Sequence, residues 1–204
     1  MSEKRDIATR MAGNQKQASI SEFFEKNKHF LGFDSLHRSL ITAVKEAVDN
    51  ALDACEEARI LPDIKIHIRK ADPKRDIIEL EVEDNGPGIP RDSIAKVFGQ
   101  LLFGSRFHAI RQSRGQQGIG ITGVVMYSQL TTGKPTHVRS KIASETTAVE
   151  MELGLDTKSN KAIKSKEQRV PWVLEDGTEK VSGLNVRCRM KAKFQRGKQS
   201  VWQY

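Results

Sequence analysis

Apolar residues recur every three or four positions between Ser35 and Arg59, which is the spacing of one face of an α-helix. We therefore predict a long helix over this range, with Asp34 as its N-cap and an end before Pro62, which cannot continue a helix. The apolar positions are Leu36, Leu40, Val44, Ala47, Val48, Ala51 and Cys55.

A different pattern follows the predicted helix. Ile64, Ile66 and Ile68 alternate with Lys65, His67 and Arg69, which is typical of a strand with one buried face. Residues 78–82 alternate in the same way, and a turn over residues 71–74 separates the two segments. The sequence therefore predicts an antiparallel hairpin.

Weaker patterns predict the other elements. The helices are a short one over Ser21–Asn27 with Ser19 or Ser21 as N-cap, one over Asp92–Leu102, and one from near Gly118 through Val125 and Tyr127. The strands are Thr136–Lys141, Thr147–Leu155 and Leu184–Met190, and Lys158–Val170 is predicted to be a lysine-rich loop.

Composition limits the class of protein. The 204 residues suit about one domain and carry a net charge of +8, which permits a polyanionic partner without requiring one. Cys55 and Cys188 are far apart and form no CxxC motif, which excludes a zinc ribbon and fits a reducing cytoplasm. No run of 18 apolar residues occurs and residues 1–13 lack an apolar signal core, so we expect neither a membrane span nor a secretory signal.

The polar side of the long helix carries the first candidate chemistry. Glu46, Asn50 and Asp53 follow one another at i, i+4 and i+7 on the face opposite the apolar stripe. A solvated face usually mixes lysine with glutamate, but between residues 42 and 57 only Lys45 is cationic. A solvated surface and a site for Mg²⁺ both remain open; in the second, Asn50 binds the metal and Glu46 acts as a general base.

A glycine-rich segment directly after the second strand reads Asp84-Asn85-Gly86-Pro87-Gly88. A structural turn would explain it. A functional interpretation places the Asp84 carboxylate at a strand end, where it accepts a hydrogen bond from an exocyclic amine. Gly86 and Gly88 lack a Cβ and would let the backbone approach a planar base.

A second glycine segment, with Gly115, Gly118 and Gly120, precedes the last predicted helix. A flexible loop with an N-cap would explain it, and so would a phosphate cradle built from backbone N–H groups. The spacing matches neither the dinucleotide fingerprint nor a Walker loop. The nearby phosphate donors are Ser105, Arg106, Arg111 and Arg114.

Together these motifs resemble the Bergerat ATP-binding fold of the GHKL superfamily, which includes gyrase, histidine kinases and MutL. Four further segments are similar to the B subunits of archaeal-type DNA topoisomerase VI: residues 22–24, 32–35, 51–54 and 100–108. The resemblance covers most of residues 20–140 densely and the rest loosely.

The resemblance implies an α+β two-layer sandwich, with a mixed, mainly antiparallel sheet and helices on one face. It implies an N-terminal arm over residues 1–30 and an ATP-binding domain over residues 31–204 that ends before a transducer domain. The implied cofactors are ATP and Mg²⁺, with Glu46 as the catalytic base and Asn50 as the metal ligand. The implied nucleotide-binding set is Asn50, Asp53, Asp84, Gly86, Gly88, Ile89, Ser105, Arg106, Gly115, Gln116, Gln117, Gly118, Ile119, Gly120, Ile121 and Thr122.

The resemblance also implies partners. ATP binding would join two copies of the B-type chain through exchange of the arm, and a topoisomerase VI A subunit would complete a heterotetramer that passes one DNA duplex through another. The family's γ-phosphate lysine lies in the transducer, which is absent from this chain, so nucleotide binding is a firmer expectation than turnover. The usual late Gly-Thr segment has only a weak counterpart at residues 182–185.

Two other functions use the same fold. A histidine-kinase catalytic domain is disfavoured, because it needs no water-activating carboxylate at Glu46 and would need a phosphoacceptor-histidine helix, which the sequence does not show. A non-hydrolysing module that dimerises on binding ATP remains open.

Overall fold

The computed structural model describes residues 20–99, 120–156, 161–197 and 200–203. The helices are α1 (Ile20–Asn27), α2 (Leu36–Ala58), α3 (Arg91–Gly99) and α4 (Gly120–Thr132). The strands are β1 (Ile64–Asp72), β2 (Ile77–Asp84), β3 (Thr136–Lys141), β4 (Ala148–Asp156), β5 (Lys161–Val170) and β6 (Gly183–Lys191). None of these helices is long and apolar enough to cross a bilayer.

The six strands form one antiparallel sheet in the order β1-β2-β6-β3-β4-β5. The predicted β1–β2 hairpin is confirmed, with a 3-10 turn over Pro73–Arg75 between its strands. β6 returns late in the chain and inserts between β2 and β3, where Glu83 pairs with Asn185. This return brings the start of β6 beside the end of β2.

One face of the sheet is covered by helices and the predicted two-layer sandwich is confirmed. Leu40 and Val44 of α2 and Val124 of α4 belong to the same buried cluster as Leu80 of β2 and Met151 of β4. Because β-strand side chains alternate, the residues between these apolar positions point away from the helices.

The opposite face of the sheet carries charged side chains. Glu79 on β2 is buried between Arg69 of β1 and Arg189 of β6, and it accepts hydrogen bonds from both guanidinium groups. Arg139 on β3 pairs in the same way with the buried Glu150 of β4. On this face, neighbouring strands are joined by ion pairs rather than by apolar packing.

The predicted N-cap of α2 is wrong, and one of the two candidates for α1 is excluded. Ser35, not Asp34, caps α2, because Ser35 has an extended backbone and its Oγ accepts a hydrogen bond from the Arg38 N–H at 3.3 Å. The Asp34 carboxylate binds the His29 and Arg38 side chains instead. In α1, Ser21 lies inside the helix and so does not cap it, while Ser19 is outside the described residues.

Both edge strands differ from their predictions. The proposed loop over Lys158–Val170 contains β5, which pairs with β4 over residues 161–170, and residues 158–160 are outside the described part of the chain. An edge strand with exposed lysines shows no apolar alternation, and such charges protect an edge from unwanted pairing. On β1, Ile66 is 41% exposed, so the predicted apolar face is only partly covered at the other edge.

The predicted boundaries of α3 and α4 can be compared with the structure only at one end of each helix. α3 begins at Arg91 and its described part ends at Gly99, so the predicted end at Leu102 falls outside the described residues. The described part of α4 begins at Gly120, which leaves the predicted start near Gly118 untested. β3 has the predicted bounds.

Candidate functional site

The polar face of α2 is half-buried rather than open to solvent. Glu46, Asn50 and Asp53 all have intermediate exposure, and the Asn50 side-chain amide donates to the Glu46 carbonyl at 2.8 Å. Lys45 lies 2.5 Å from Asp49 and so partly offsets the acidic charge on one side of the face. This burial disfavours the interpretation of the face as an ordinary solvated surface.

The Glu46 carboxylate lies against the first residue of the described part of α4. A Cβ placed on Gly120 would be only 1.8 Å from Glu46 Oε2, so the absence of a side chain at Gly120 makes room for the carboxylate. Burial raises the pKa of Glu46, and Lys45 only partly opposes this effect. A carboxylate with a raised pKa is a better proton acceptor near neutral pH than an ordinary one.

Asp84 lies at the end of β2 and is 4% exposed. Its Oδ1 accepts hydrogen bonds from the Gly86 N–H at 2.8 Å and the Leu184 N–H at 3.2 Å. Burial raises the pKa of Asp84, while these two hydrogen bonds favour the ionised form. Residues 182–185, the weak counterpart of the Gly-Thr segment, therefore lie against Asp84. The contact is made by the backbone N–H of Leu184.

The turn after Asp84 is held by β3. Gly88 has φ of +72°, and a Cβ there would lie 2.1 Å from the Lys141 carbonyl oxygen. The Ser140 hydroxyl donates to the Ile89 carbonyl at 2.9 Å and accepts from the Ile89 N–H at 2.7 Å. Sequence reasoning missed Ser140, because a serine on a strand carries no local signal for a contact 51 residues away.

Asn85, inside the same motif, binds the segment that leads into β1. Its Oδ1 accepts from the Asp63 N–H at 2.8 Å, and its Nδ2 donates to the Leu61 carbonyl at 3.0 Å. The buried Cys55 thiol also lies 3.6 Å from Oδ1. Asn85 therefore fixes the connection between α2 and β1, and its role is structural.

One face of α2 connects the two halves of the site. A Cβ on Gly86 would meet Ala54 at 3.8 Å, while Glu46 reaches Gly120 at the other end. Glu46 and Ala54 are eight positions apart on the helix, which corresponds to about 12 Å at 1.5 Å per residue. Asp84 at the end of β2 and the Glu46 carboxylate beside Gly120 thus lie at opposite ends of this face of α2. We call the face from Glu46 to Ala54 the track.

The predicted glycine flap falls only partly within the described ranges. Gly120, Ile121 and Thr122 are the first described residues of α4, and the buried Thr122 hydroxyl donates to the Val97 carbonyl of α3 at 3.5 Å. The other predicted flap residues lie outside the described residues: Ser105, Arg106, Gly115, Gln116, Gln117, Gly118 and Ile119, together with the donors Arg111 and Arg114.

Within the described ranges, no group of three or more His, Cys, Asp or Glu side chains could enclose a metal ion. The polar face of α2 offers single oxygens instead, from Asn50 and the neighbouring carboxylates. Such a face suits a cation that takes one or two protein ligands and fills its other positions with water or phosphate oxygens.

The sequence matches a known protein family. The family described as "Histidine kinase-, DNA gyrase B-, and HSP90-like ATPase" matches residues 36–157, which is more than half of the chain. The chain belongs to this ATPase family. The matched range runs from the start of α2 to just past β4, and it contains Glu46, Asp84 and Gly120.

Curated relatives give a narrower similarity. The chain is 54% identical over 197 residues to the B subunit of type 2 DNA topoisomerase 6 from Archaeoglobus fulgidus, covering 95% of this chain and 31% of the relative. It is 58% identical over 170 residues to the protein of the same name from Halobacterium salinarum, covering 83% of this chain and 21% of the relative. These matches confirm the resemblance seen in the motifs. The chain spans about a third or less of the length of these relatives.

Solved structures confirm the family fold. The ATPase region of Saccharomyces cerevisiae topoisomerase II matches with a TM-score of 0.51 at 16% identity, over 74% of this chain and 38% of that chain. The same region bound to ICRF-187 matches with a TM-score of 0.52 at 15% identity, over the same shares. At these identities the likeness extends to the fold alone.

Proposed function

We propose that this chain is the ATP-binding and hydrolysing domain of a type II DNA topoisomerase, equivalent to the corresponding part of a topoisomerase VI B subunit. The curated relatives support the class of enzyme. The observation that carries the proposal is the single track along α2, with Asp84 at one end and the Glu46–Gly120 contact at the other.

The residues of the track fit an adenine nucleotide. Gly88 and Gly120 allow close packing where a Cβ would clash with the Lys141 carbonyl and the Glu46 carboxylate, and the buried Asp84 carboxylate has Oδ1 held by two backbone N–H groups. In this proposal Asp84 accepts from the exocyclic amine of adenine, while Gly86, Gly88 and Ile89 lie near the base.

The other end of the track handles the phosphates. Asn50 would hold Mg²⁺, which neutralises phosphate charge when bound, and Asp53 lies beside it on the same face. Glu46 would take a proton from the attacking water. We also assign phosphate binding to the start of α4 and to the flap residues that lie outside the described part of the chain.

The assembly is part of the proposal. By analogy with the named relatives, the chain would pair with a topoisomerase VI A subunit and act on double-stranded DNA. ATP binding would join two copies through residues 1–30, with residues 31–204 as the ATP-binding domain, and so gate strand passage. The buried free thiols of Cys55 and Cys188 suit a reducing compartment, and we place the protein in the cytoplasm.

The test compares Mg·ATP with Mg·GTP in a calorimetric titration. An ionised Asp84 accepts from the adenine amine but is repelled by the guanine carbonyl, so ATP should bind at least about tenfold more tightly. Asp84→Asn should weaken ATP binding and remove the preference. Asp76→Asn, the same change beyond the other end of β2, is the control and should keep it. Equal affinity of the unaltered protein for both nucleotides would refute the adenine assignment.

Hydrolysis is tested separately in the assembled enzyme. Glu46→Ala should bind ATP normally and release no phosphate, whereas Glu57→Ala, on the exposed end of the same helix, should release phosphate normally. Normal turnover by Glu46→Ala would show that Glu46 is not the base. If the unaltered enzyme dimerises on a non-hydrolysable ATP analogue but never releases phosphate, the non-hydrolysing module is the correct function.

A further inference from the structure

A short hairpin over residues 172–180 packs behind Asp84, on the charged face of the sheet; we call it the rear hairpin. Val173 and Glu179 form a β-bridge, and the Lys180 N–H donates to the Trp172 carbonyl at 2.8 Å. The Leu174 N–H donates to the Thr178 carbonyl at 2.8 Å and closes the turn. The backbone thus presents Trp172 and Lys180 as a fixed pair.

Lys180 is buried, which is unusual for a lysine. The whole residue is 8% exposed, and its Nζ lies 2.6 Å from Glu83 Oε1 and 4.7 Å from the centre of the Trp172 ring. The second Glu83 oxygen accepts from Asn185 Nδ2 at 3.2 Å. Burying an ammonium group is costly unless it is paired, and Glu83 and the Trp172 ring supply partners for Lys180.

The Lys180 side chain reaches the backbone that contacts Asp84. A Cβ on Gly183 would lie 2.7 Å from Lys180 Cε and 2.3 Å from the Asp84 carbonyl oxygen, so the lysine stem, Gly183 and Asp84 are closely packed. The next residue, Leu184, donates its N–H to Asp84 Oδ1. Glu83, the partner of Lys180, is the residue immediately before Asp84 on β2.

The groups around Asp84 have opposing effects on its pKa. Burial raises the pKa of Asp84, the Gly86 and Leu184 hydrogen bonds lower it, Lys180 lowers it further, and Glu83 raises it. From α2, the Cys55 thiol also faces Asp84. Lys180 therefore supplies positive charge from behind the sheet, on the side away from α2.

We propose that Lys180 is a positioning residue for nucleotide recognition, holding Glu83 and the Gly183–Leu184 backbone so that Asp84 stays ionised and aimed at an exocyclic amine. This inference rests on the proposed function, because it assumes that Asp84 binds the base. Nothing in the sequence motifs points to Lys180, which lies 96 residues after Asp84.

The experiment measures the affinity for Mg·ATP and Mg·GTP by calorimetry between pH 5 and pH 9. Only ionised Asp84 accepts from the amine, so affinity is lost as pH falls through the pKa of Asp84 in the free protein. Lys180→Met should move the midpoint of this acid limb to higher pH, because the positive charge that lowers the pKa of Asp84 is lost, and so cause a severalfold loss of ATP affinity within the limb. Lys180→Arg should restore most of the affinity.

Glu83→Gln should shift the midpoint of the acid limb in the opposite direction. It removes negative charge beside Asp84 and leaves Lys180 in place, so the acid limb should move to lower pH. General damage to the fold would weaken binding in both variants, and only an electrostatic role gives opposite shifts. Lys193→Met, which loses an exposed ion pair with Asp76, is the matched control and should leave the profile unchanged.

The outcomes separate the two proposals. If the unaltered protein prefers ATP and Asp84→Asn removes that preference, but Lys180→Met and Glu83→Gln both follow the Lys193→Met profile, the role of Lys180 is refuted and the proposed function stands. If Asp84→Asn itself has no effect on the preference, both proposals are refuted. Should Lys180→Met not fold, Lys180→Gln, which removes the charge but keeps a polar end group against Glu83, is measured in its place, and an unshifted limb in that variant refutes the role of Lys180.

Discussion

At Gly88 and at Gly120 a side chain would clash with a neighbouring group of the candidate site. At Gly88 an added Cβ would meet the backbone carbonyl of Lys141, which cannot yield, and the positive φ would add strain. At Gly120 it would meet the end of the Glu46 side chain, which can rotate away. The same substitution should therefore damage the fold at the first position and the chemistry at the second.

We predict that Gly120→Ala leaves the protein folded and reduces ATP hydrolysis. The new methyl group would displace the Glu46 carboxylate, and a misplaced base costs roughly tenfold or more in rate. Alanine at the start of α4 is itself a better helix former than glycine, so the melting temperature should change little. The measurements are phosphate release by the assembled enzyme and thermal unfolding.

Gly123→Ala is the matched control for this change. It lies one turn further along α4, where a Cβ would make an ordinary contact with Phe33 at 3.5 Å. We expect hydrolysis by this variant to match that of the unaltered protein. Unchanged hydrolysis in Gly120→Ala would mean that Glu46 does not need its observed position.

At the scale of elements, one side chain of α4 takes the place of a missing strand neighbour in the sheet. The last β3–β4 pair is Thr136 with Leu153, so Leu155 of β4 lies beyond the end of β3. Gln129 of α4 fills this place: its Nε2 donates to the Leu155 carbonyl at 2.7 Å, and its Oε1 accepts from the Leu155 N–H at 2.6 Å. The end of α4 is thereby fixed relative to the sheet.

We predict that Gln129→Leu lowers the free energy of unfolding by about 2–3 kcal/mol, because two hydrogen bonds are lost and two backbone groups lose their partner. Urea unfolding measures this. Gln203→Leu is the control, since Gln203 is exposed. A cost at Gln129 no larger than at Gln203 would show that the contact does not stabilise the fold.

For the whole molecule, the charged face of the sheet should govern the response to acid. Burial alone would raise the pKa of Glu79, but hydrogen bonds from Arg189 and Arg69 outweigh it and leave the pKa below its usual value. Hydrogen bonds from Gln168 and Arg139 likewise outweigh burial at Glu150. In the folded protein these two carboxyls therefore hold their protons less tightly than in the unfolded chain.

We predict that stability falls as the pH drops below about 5, the usual carboxyl range, and continues to fall through the lowered pKa values of Glu79 and Glu150. Their stabilising contribution is complete above that range. Glu79→Gln should lower the melting temperature at pH 7 and flatten its dependence on pH, whereas the exposed Glu175→Gln should do neither. Parallel curves for Glu79→Gln and the unaltered protein would refute this origin of acid sensitivity.

The carboxyl groups of Glu46 and Asp84 have the opposite effect on stability. Burial raises the pKa of Glu46 and of Asp84, so keeping both ionised near neutral pH works against folding. The sheet's ion pairs and its apolar core thus offset the cost of two buried acids at the site. Bound nucleotide and metal would reduce that cost and should stabilise the protein.

Local pattern was sufficient for the elements whose burial is one-sided or complete. The periodicity of α2 and the alternation of β2 reflect contact with one continuous core, so their positions could be read from the chain. The same periodicity placed Glu46, Asn50 and Asp53 on one face. The motif around Asp84 was also recognisable, because its glycines and strand-end aspartate are adjacent in sequence.

Which of these residues lie together depends on how the strands and helices pack. β5 escaped prediction because an exposed edge strand needs no apolar alternation, and Asn85 proved structural because its partners lie more than 20 residues upstream. The contacts of Ser140 and Lys180 with the loop and strand beside Asp84 depend on strands β3 and β6, which are distant in sequence and adjacent in the sheet. Sequence periodicity indicates which side of a helix or strand is buried. Which residues it contacts there depends on how distant parts of the chain pack together.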